Sequence, residues 1–468
     1  DDGLAFGDMV TVSQANGSLH QKIAAKAASA GHLAMADVDG DGDLDLFVAA
    51  RSLPGRYPQP AGSWLYLNEG GEWRESAAWS SALQSVGLVA GAVFTYIDSD
   101  SAPDLILACD WGTPKILTNT GSGFLDRTEQ FGLIKFTGFW RGIDTGDFNG
   151  DGRMDFVVAN RGLNSGYQAS AEEPFVAFHG DLDEDGRGEI IETVREGENL
   201  HPRRNLSTLN SAMPWLTEHL RNYDHYAQLT VKGLFGPARL GNAARVEITT
   251  LRSMVFLRTD TGFEARPLPP EAQFTAVFSP VVADFDNDGV EDIVLSQNEF
   301  TVHSEESRQD AGFGLLLSGQ GDGSFAAASI GESGLAVFGE GRGAAAADFN
   351  HDGRTDLAIC QNGAKPRLFL NQTKRRGLRV RLQSGEANRK GVGARIRLES
   401  EGKLGPARTI RLGSGFLSQS ATTQVLGGSE KATALLVTWP SGGRERFNLT
   451  PNQSAITAVK GQGNAVAN

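Results

Sequence analysis

A short, carboxylate-dense loop that runs straight into an apolar strand occurs six times in this chain. The first copy reads Asp37-Val38-Asp39-Gly40-Asp41-Gly42-Asp43-Leu44-Asp45 and continues as Leu46-Phe47-Val48-Ala49. Others begin at Asp147, Asp181, Asp284 and Asp348, and a worn copy covers Tyr96 to Asp104. Side-chain oxygens at motif positions 1, 3, 5 and 9, with a Gly near position 6 for the sharp turn, suit a hard cation that takes six or more oxygen ligands. Recurrence at intervals of tens of residues also means an array of similar structural units. One feature therefore constrains both the fold and the chemistry.

The expected ligands follow from the register. They are Asp37, Asp39, Asp41 and Asp45 with the Asp43 carbonyl, and Asp147, Asn149, Asp151 and Asp155 with the Arg153 carbonyl. The third loop offers Asp181, Asp183, Asp185 and Glu189 with the Arg187 carbonyl. The last two offer Asp284, Asp286, Asp288 and Asp292 with Val290, and Asp348, Asn350, Asp352 and Asp356 with Arg354. Four carboxylates within nine residues repel one another unless a cation sits between them. Calcium at about five sites is the expectation. The worn copy keeps Asp98, Asp100 and Asp104 but has Tyr96 at position 1 and Ser101 in place of the Gly, so its turn is expected to survive without a metal. The alternative for every copy is a metal-free turn whose side chains cap their own backbone.

An EF-hand shares positions 1 to 9 but needs a bidentate Glu at position 12 between two helices. Here position 12 is Val48, Val158, Leu295 and Ile359, inside short β-branched runs that read as buried strands. The Asp181 loop does place Glu192 there, yet Pro174-Phe175-Val176-Ala177-Phe178 before it reads as a strand. Strand–loop–strand sites are predicted throughout.

Second hairpins follow most motifs, as in Trp64 to Trp73, Lys115 to Phe124 and Met254 to Phe263. Two hairpins make a four-stranded unit, and repeats of that content are β-propeller blades. Motif starts lie 59, 51, 34, 103 and 64 residues apart. The 34-residue gap is too short for a blade, so two motifs could share one sheet; the 103-residue gap holds an insertion or a motif-free blade. Seven blades are favoured over six. A helical insertion is expected over about 196–243, with Leu216, Leu220, Tyr223 and Ala227 on one apolar face.

The formal charge of −14 argues against nucleic acid as a partner. Six divalent ions would bring it to about −2, so the acidity reads as metal ligands. Cys109 and Cys360 are too few for a disulfide scaffold and are expected as buried thiols. No stretch has the roughly 20 apolar residues of a membrane span. The residues from Asp1 show no charged n-region or apolar h-region, as expected if an export leader has been removed. Calcium loops make sense where calcium is plentiful, so a secreted or extracytoplasmic location (periplasm or cell surface) is expected.

The loops and their following strands resemble FG-GAP/VCBS repeats, the blades of integrin-α-like propellers. After Asn371, Lys390-Gly391-Val392-Gly393-Ala394-Arg395-Ile396, Gly413-Ser414-Gly415-Phe416-Leu417-Ser418-Gln419-Ser420 and Val437-Thr438-Trp439-Pro440-Ser441-Gly442 resemble the ASPIC/UnbV domain. The pairing is similar to the cartilage acidic protein family and its bacterial relatives, over roughly residues 31 to 460. It implies a secreted, calcium-loaded propeller over 1–372 and a small β-rich domain over 373–460, and it implies no reaction. Where the family has an FGLG-like run this chain has Gly427-Gly428. Residues 461–468 are expected to be disordered.

Two functional readings follow. In the first, the chain is a binding or adhesion module for a protein or glycan, with structural calcium. The alternative is an enzyme with a site in the central opening under a helix at 210–235. His179, His219, Tyr223 and His225 are its acid/base candidates. No nucleophile elbow, HExxH or paired-acid signature supports it.

Overall fold

The computed structural model describes residues 10–12, 21–23, 26, 28–98, 100–220, 222–440 and 442–466. Five similar antiparallel sheets follow one another along the chain. The first contains Ala30–Ala36, Asp45–Ala50, Trp64–Glu69 and Glu72–Glu75 in that order. The second contains Leu88–Thr95, Asp104–Gly112, Lys115–Asn119 and Phe124–Asp126, with Gly138–Phe139 added at one end. The fourth contains Val277–Ala283, Asp292–Gln297, Leu315–Gly319 and Phe325–Ala327. The fifth stops at three strands, Glu340–Ala347, Asp356–Asn362 and Ala364–Phe369. In each of the five, the motif loop joins the first strand to the second, as predicted.

The third sheet shows what the uneven spacing meant. Ile143–Gly146 and Asp155–Val158 pair locally, but the next strand is Met254–Arg258, followed by Phe263–Pro267. The residues between them form a separate unit. Its sheet runs Asn199–Pro202, Glu189–Glu196, Phe175–Gly180, Ala244–Ile248 in spatial order. The Asp181 loop is the turn of this inserted sheet, so it shares no blade with the Asp147 loop. The helices Leu206–Ala212, Leu216–His219, Tyr223–Ala227 and Val231–Asn242 pack on the same sheet through Leu182, Ile191, Leu209, Met213, Leu216, Val231 and Phe235. The single apolar helical face expected at 216–227 is broken. Leu220 is extended, and the Asn222 side chain accepts from the His225 N–H to start a new helix. Tyr223 is left 67% exposed.

The core lies between blades. Phe47, Leu65, Phe94 and Leu105 fill the first interface, and Ile106, Trp140, Phe156 and Phe256 the second. Val157, Val255, Ile293 and Leu315 fill the third, and Val281, Val294, Leu357 and Ile359 the fourth. Continuous runs such as Leu105-Ile106-Leu107-Ala108 therefore serve two interfaces, one from each face of the strand. The propeller-like, all-β expectation holds. The blade count among the described residues is five, below the six or seven anticipated. One motif went to the insert, and the described residues before Ala30 include the antiparallel pair Val10–Val12 and Gln21–Ile23.

Beyond Asn371 two further sheets form. Leu378–Gln383 lies between Gln424–Leu426 and, in parallel, Ala455–Val459. Arg395–Ser400 pairs with Ala432–Thr438, and the latter with Arg444–Asn448. Residues 461–466 are not a loose tail. Asn464–Ala465 pairs with Arg446 and Glu445, and the Glu445 carboxylate accepts from the Gly461 and Gly463 N–H groups. Residues 467 and 468 lie outside the described residues. Cys109 is buried as expected, but Cys360 is exposed, on the blade-five strand Asp356–Asn362.

Candidate functional site: the acidic loops and the segment on the propeller axis

The motif side chains divide their labour by position. At position 9 of the five blade loops both carboxylate oxygens are taken by backbone. One Asp45 oxygen accepts from the Val38 N–H at 2.8 Å, and the other from Asn68 of the third strand at 3.0 Å. Asp155 repeats this with Phe148 and Arg258, Asp292 with Phe285 and Gly319, and Asp356 with Phe349 and Asn371. Asp104 of the worn copy does the same with Ile97 and Asn119. Position 9 therefore staples the turn to the next hairpin with or without a cation. That explains why the worn copy kept it.

Asp104→Ala should lower stability by about 3 kcal/mol, the loss of two bonds to a buried carboxylate, and leave the number of bound ions unchanged. Asp292→Ala should cost at least as much and remove an ion as well. Melting curves with ion counting separate the two; an ion lost in the Asp104 variant would mean that the worn loop binds metal.

Position 5 turns inward to its own loop. Asp41, Asp151, Asp185, Asp288 and Asp352 each accept from the backbone N–H of position 7. Three loops gather a carboxylate triad with oxygens within 4.8 Å of one another: Asp37, Asp39 and Asp41; Asp181, Asp183 and Glu189; Asp284, Asp286 and Asp292. The other two carry Asn149 or Asn350 at position 3, and their position-5 acids pair with Arg153 and Arg354 at 2.7 and 2.6 Å. Those two offer less negative charge to a cation.

The acids fit a cation on physical grounds. Burial, with like charges nearby, raises Asp37 to about 6 and Asp45 to about 7. It raises Asp155 to about 8 and Asp292 to about 7. One oxygen of the fully buried Asp147 has no hydrogen-bond partner. Crowded, desolvated carboxylates of this kind are what a bound divalent ion relieves. The Asp181 loop is flanked by strands, and Glu192 faces away into Tyr167 and Arg204 at 2.7 and 2.6 Å, so it is not an EF-hand.

Sequence reasoning missed what covers these loops. Arginines of the C-terminal sheets reach the position-1 acids. Arg379 meets Asp348 at 2.8 Å, and Arg408 meets Asp284 and Glu291, both at 3.3 Å. The Ala407 and Gly427 N–H groups donate to Asp147 and Asp284, and Tyr96 donates to the Gly393 carbonyl. The segment from Arg408 to Ala421 then crosses the blades' innermost strands. Leu412 pairs with Met35 and Gly415 with Ile143; Phe416 donates to Ser279, and Ser420 accepts from Ala346. Arg411 meets Asp144 at 2.5 Å. Four of the five innermost strands thus touch one segment, which lies along the propeller axis. Its Gly-rich spelling was the only signal, and it did not say what the backbone approaches.

The acid/base candidates are not gathered at that axis. His179 lies on the inserted strand Phe175–Gly180, beside Arg56 and Tyr57, and burial lowers its pKa. His219 ends the helix Leu216–His219, while Tyr223 and His225 lie on Tyr223–Ala227. These helices pack on the inserted sheet, and Asn205 and Thr208 at the start of Leu206–Ala212 also donate to the Glu305 carboxylate of blade four.

Sheets of this form, packed face to face with acidic turns at one end, define a propeller-type repeat protein. Residues 96–158 match the FG-GAP-like repeat family, and residues 384–465 match the ASPIC and UnbV domain. The first match spans the worn loop and the Asp147 loop; the second contains the axial segment. The chain thus carries both family signatures. No curated protein matches it. Among solved structures, one titled as a cryo-EM structure of RAG in complex with one melted and one unmelted RSS is 9% identical. It covers 74% of this chain and 83% of its own, with a TM-score of 0.31. A crystal structure of BBS1N in complex with ARL6DN, soaked with lead, is also 9% identical, covering 92% and 95% with a TM-score of 0.30. Neither likeness bears on function.

Proposed function

We propose that this chain is an exported, calcium-stabilised binding module that engages a protein or glycan partner. The observation that carries the reading is that the conspicuous acids are committed. Position 9 staples backbone, position 1 of three loops (Asp147, Asp284 and Asp348) meets the C-terminal region, and three loops form triads suited to a cation. In the loaded protein Asp37, Asp39, Asp41, Asp284, Asp286 and Asp292, with Asp181, Asp183 and Glu189 in the insert, would hold the ions. Calcium would supply charge neutralisation there. With one end of the blades covered and the axis filled, the opposite ends and the insert are left for recognition. No helix among the described residues is long and apolar enough to cross a membrane.

Immobilised full-length chain should retain a cell-surface protein or polysaccharide in calcium and release it in chelator. Retention of nothing from envelope extracts and polysaccharide mixtures, with calcium bound, would overturn the reading.

A further inference from the structure

At the blade ends opposite the motif loops, three arginines pair with three carboxylates beside a fourth arginine. Arg51 follows the second strand of blade one and pairs with Asp110 at 2.6 Å. Arg141 precedes the first strand of blade three and pairs with Glu299 at 2.8 Å. Arg342 pairs with Glu340 at 2.7 Å. The Arg141 and Arg342 guanidinium groups both lie over Phe278, at 4.0 and 3.7 Å, and Phe278 packs on Phe416 of the axial segment. The cluster therefore sits at the axis, on the end that the C-terminal sheets leave uncovered.

Arg161 is the surplus cation. It lies over Tyr167 at 4.3 Å and Phe139 at 5.5 Å, with no carboxylate among the described residues in ion-pair range. The next layer is balanced, since Arg203 and Arg204 face Glu192 and Glu306. The charges act as one group. Burial opposes it, yet Arg141, Arg161 and Arg342 together hold the Glu299 carboxyl below its ordinary value. Three buried donors in the cluster have no acceptor among the described residues: Nε of Arg51, Nη1 of Arg141 and Nε of Arg161. Native structures leave few buried donors unpaired, and a group of three around one axis calls for a reason.

We propose that Arg51, Arg141, Arg161 and Arg342 form an oxyanion-binding site that takes a carboxylate or sulfate group of the ligand. The guanidinium fork matches both groups with two parallel hydrogen bonds, which a lysine cannot do. The Asp110, Glu299 and Glu340 carboxylates hold three of the forks in place, and Arg161 supplies the uncompensated charge. The inference rests on the reading of the chain as a binding module and names the chemistry of its ligand as acidic.

Calorimetric titration of the full chain in calcium, with glucuronate and separately with inorganic sulfate, tests it. At least one should bind, and which one does separates a uronic-acid source from a sulfate ester. Arg161→Gln and Arg51→Gln should each weaken binding about tenfold or more, and Arg161→Lys should not restore it. Arg375→Gln, at the motif-loop end, should leave binding unchanged. Arg161 makes no ion pair among the described residues, so its variant loses only its contacts with Tyr167 and Phe139 and its pull on Glu299, and should melt within about 2 °C of the wild type. Binding of neither probe, or equal weakening by Arg375→Gln and Arg161→Gln, overturns the site. Calcium-dependent partner capture that persists in Arg161→Gln would sink this inference alone and leave the broader function standing.

Discussion

Calcium withdrawn by a chelator should lower the melting temperature by roughly 8 °C if three loops are filled, and by roughly 13 °C if five are. A ligand that binds only the folded state contributes about 2.7 kcal/mol per site at one hundred times its Kd. Three sites therefore give about 8 kcal/mol. A chain of 468 residues has an unfolding entropy of about 1 kcal/mol/K near its midpoint, which converts the two figures almost one to one. The Asn149 and Asn350 loops, whose position-5 acids are occupied by Arg153 and Arg354, are the ones expected to fill last. The effect should also depend on pH. Asp37, Asp45, Asp155 and Asp292 are raised by burial from 3.8 to about 6, 7, 8 and 7. In the stripped protein the folded chain then binds protons that the unfolded chain has released, and stability falls as pH rises from about 4 to 8. The gap between loaded and stripped protein should widen from pH 5 to pH 8. A stripped protein that melts at the loaded temperature at pH 8 would mean that the loops are plain turns.

Local chemistry was readable in the sequence; long-range approach was not. Crowded acids at fixed spacing can be read because their repulsion is a property of nine residues. The hairpin Met254 to Phe263 was readable for the same reason, but its partner strand lies 96 residues back at Val158. No local pattern reports that pairing, and the insert between them misled the blade count. The expectation that the worn loop keeps its turn without a metal says nothing of how far Asp104 reaches: one of its two bonds is to Ile97 in the loop, the other to Asn119 of the next hairpin. Cys360 was expected inside because it follows a motif, yet its side chain falls on an exposed position of the blade-five strand Asp356–Asn362. Arg51, Arg141, Arg161 and Arg342 belong to no motif. They share only a place at the same ends of different strands, which becomes a cluster when the blades are set around an axis. The axial segment hid in the same way, since its glycines state that the backbone is tight without stating against what.

Gly413→Val should separate the C-terminal sheets from the blades. Gly413 has φ +98°, where a side chain is strained, and an added Cβ would lie 2.5 Å from the Leu33 carbonyl oxygen and 2.7 Å from the Ala34 Cα. Those are backbone atoms of the innermost strand of blade one, and they cannot step aside as a flexible side chain would. Strain of about 1–3 kcal/mol adds to overpacking of about 1–3 kcal/mol, and the cheapest escape is withdrawal of the whole segment. Withdrawal takes Arg411 from Asp144 and Arg408 from Asp284 and Glu291, pairs that are almost completely buried. Those carboxylates would be left without their cations unless water enters. The variant should therefore become open to protease between Asn371 and Leu378 and expand in solution, while the inter-blade cores keep their own melting transition. Gly402→Ala is the control, because φ is +75° there but nothing lies within 4 Å of the added Cβ. It should cost about 1 kcal/mol and leave the C-terminal sheets docked. If Gly413→Val stays as compact and protease-resistant as Gly402→Ala, the axial segment only rests on the blades and does not hold them.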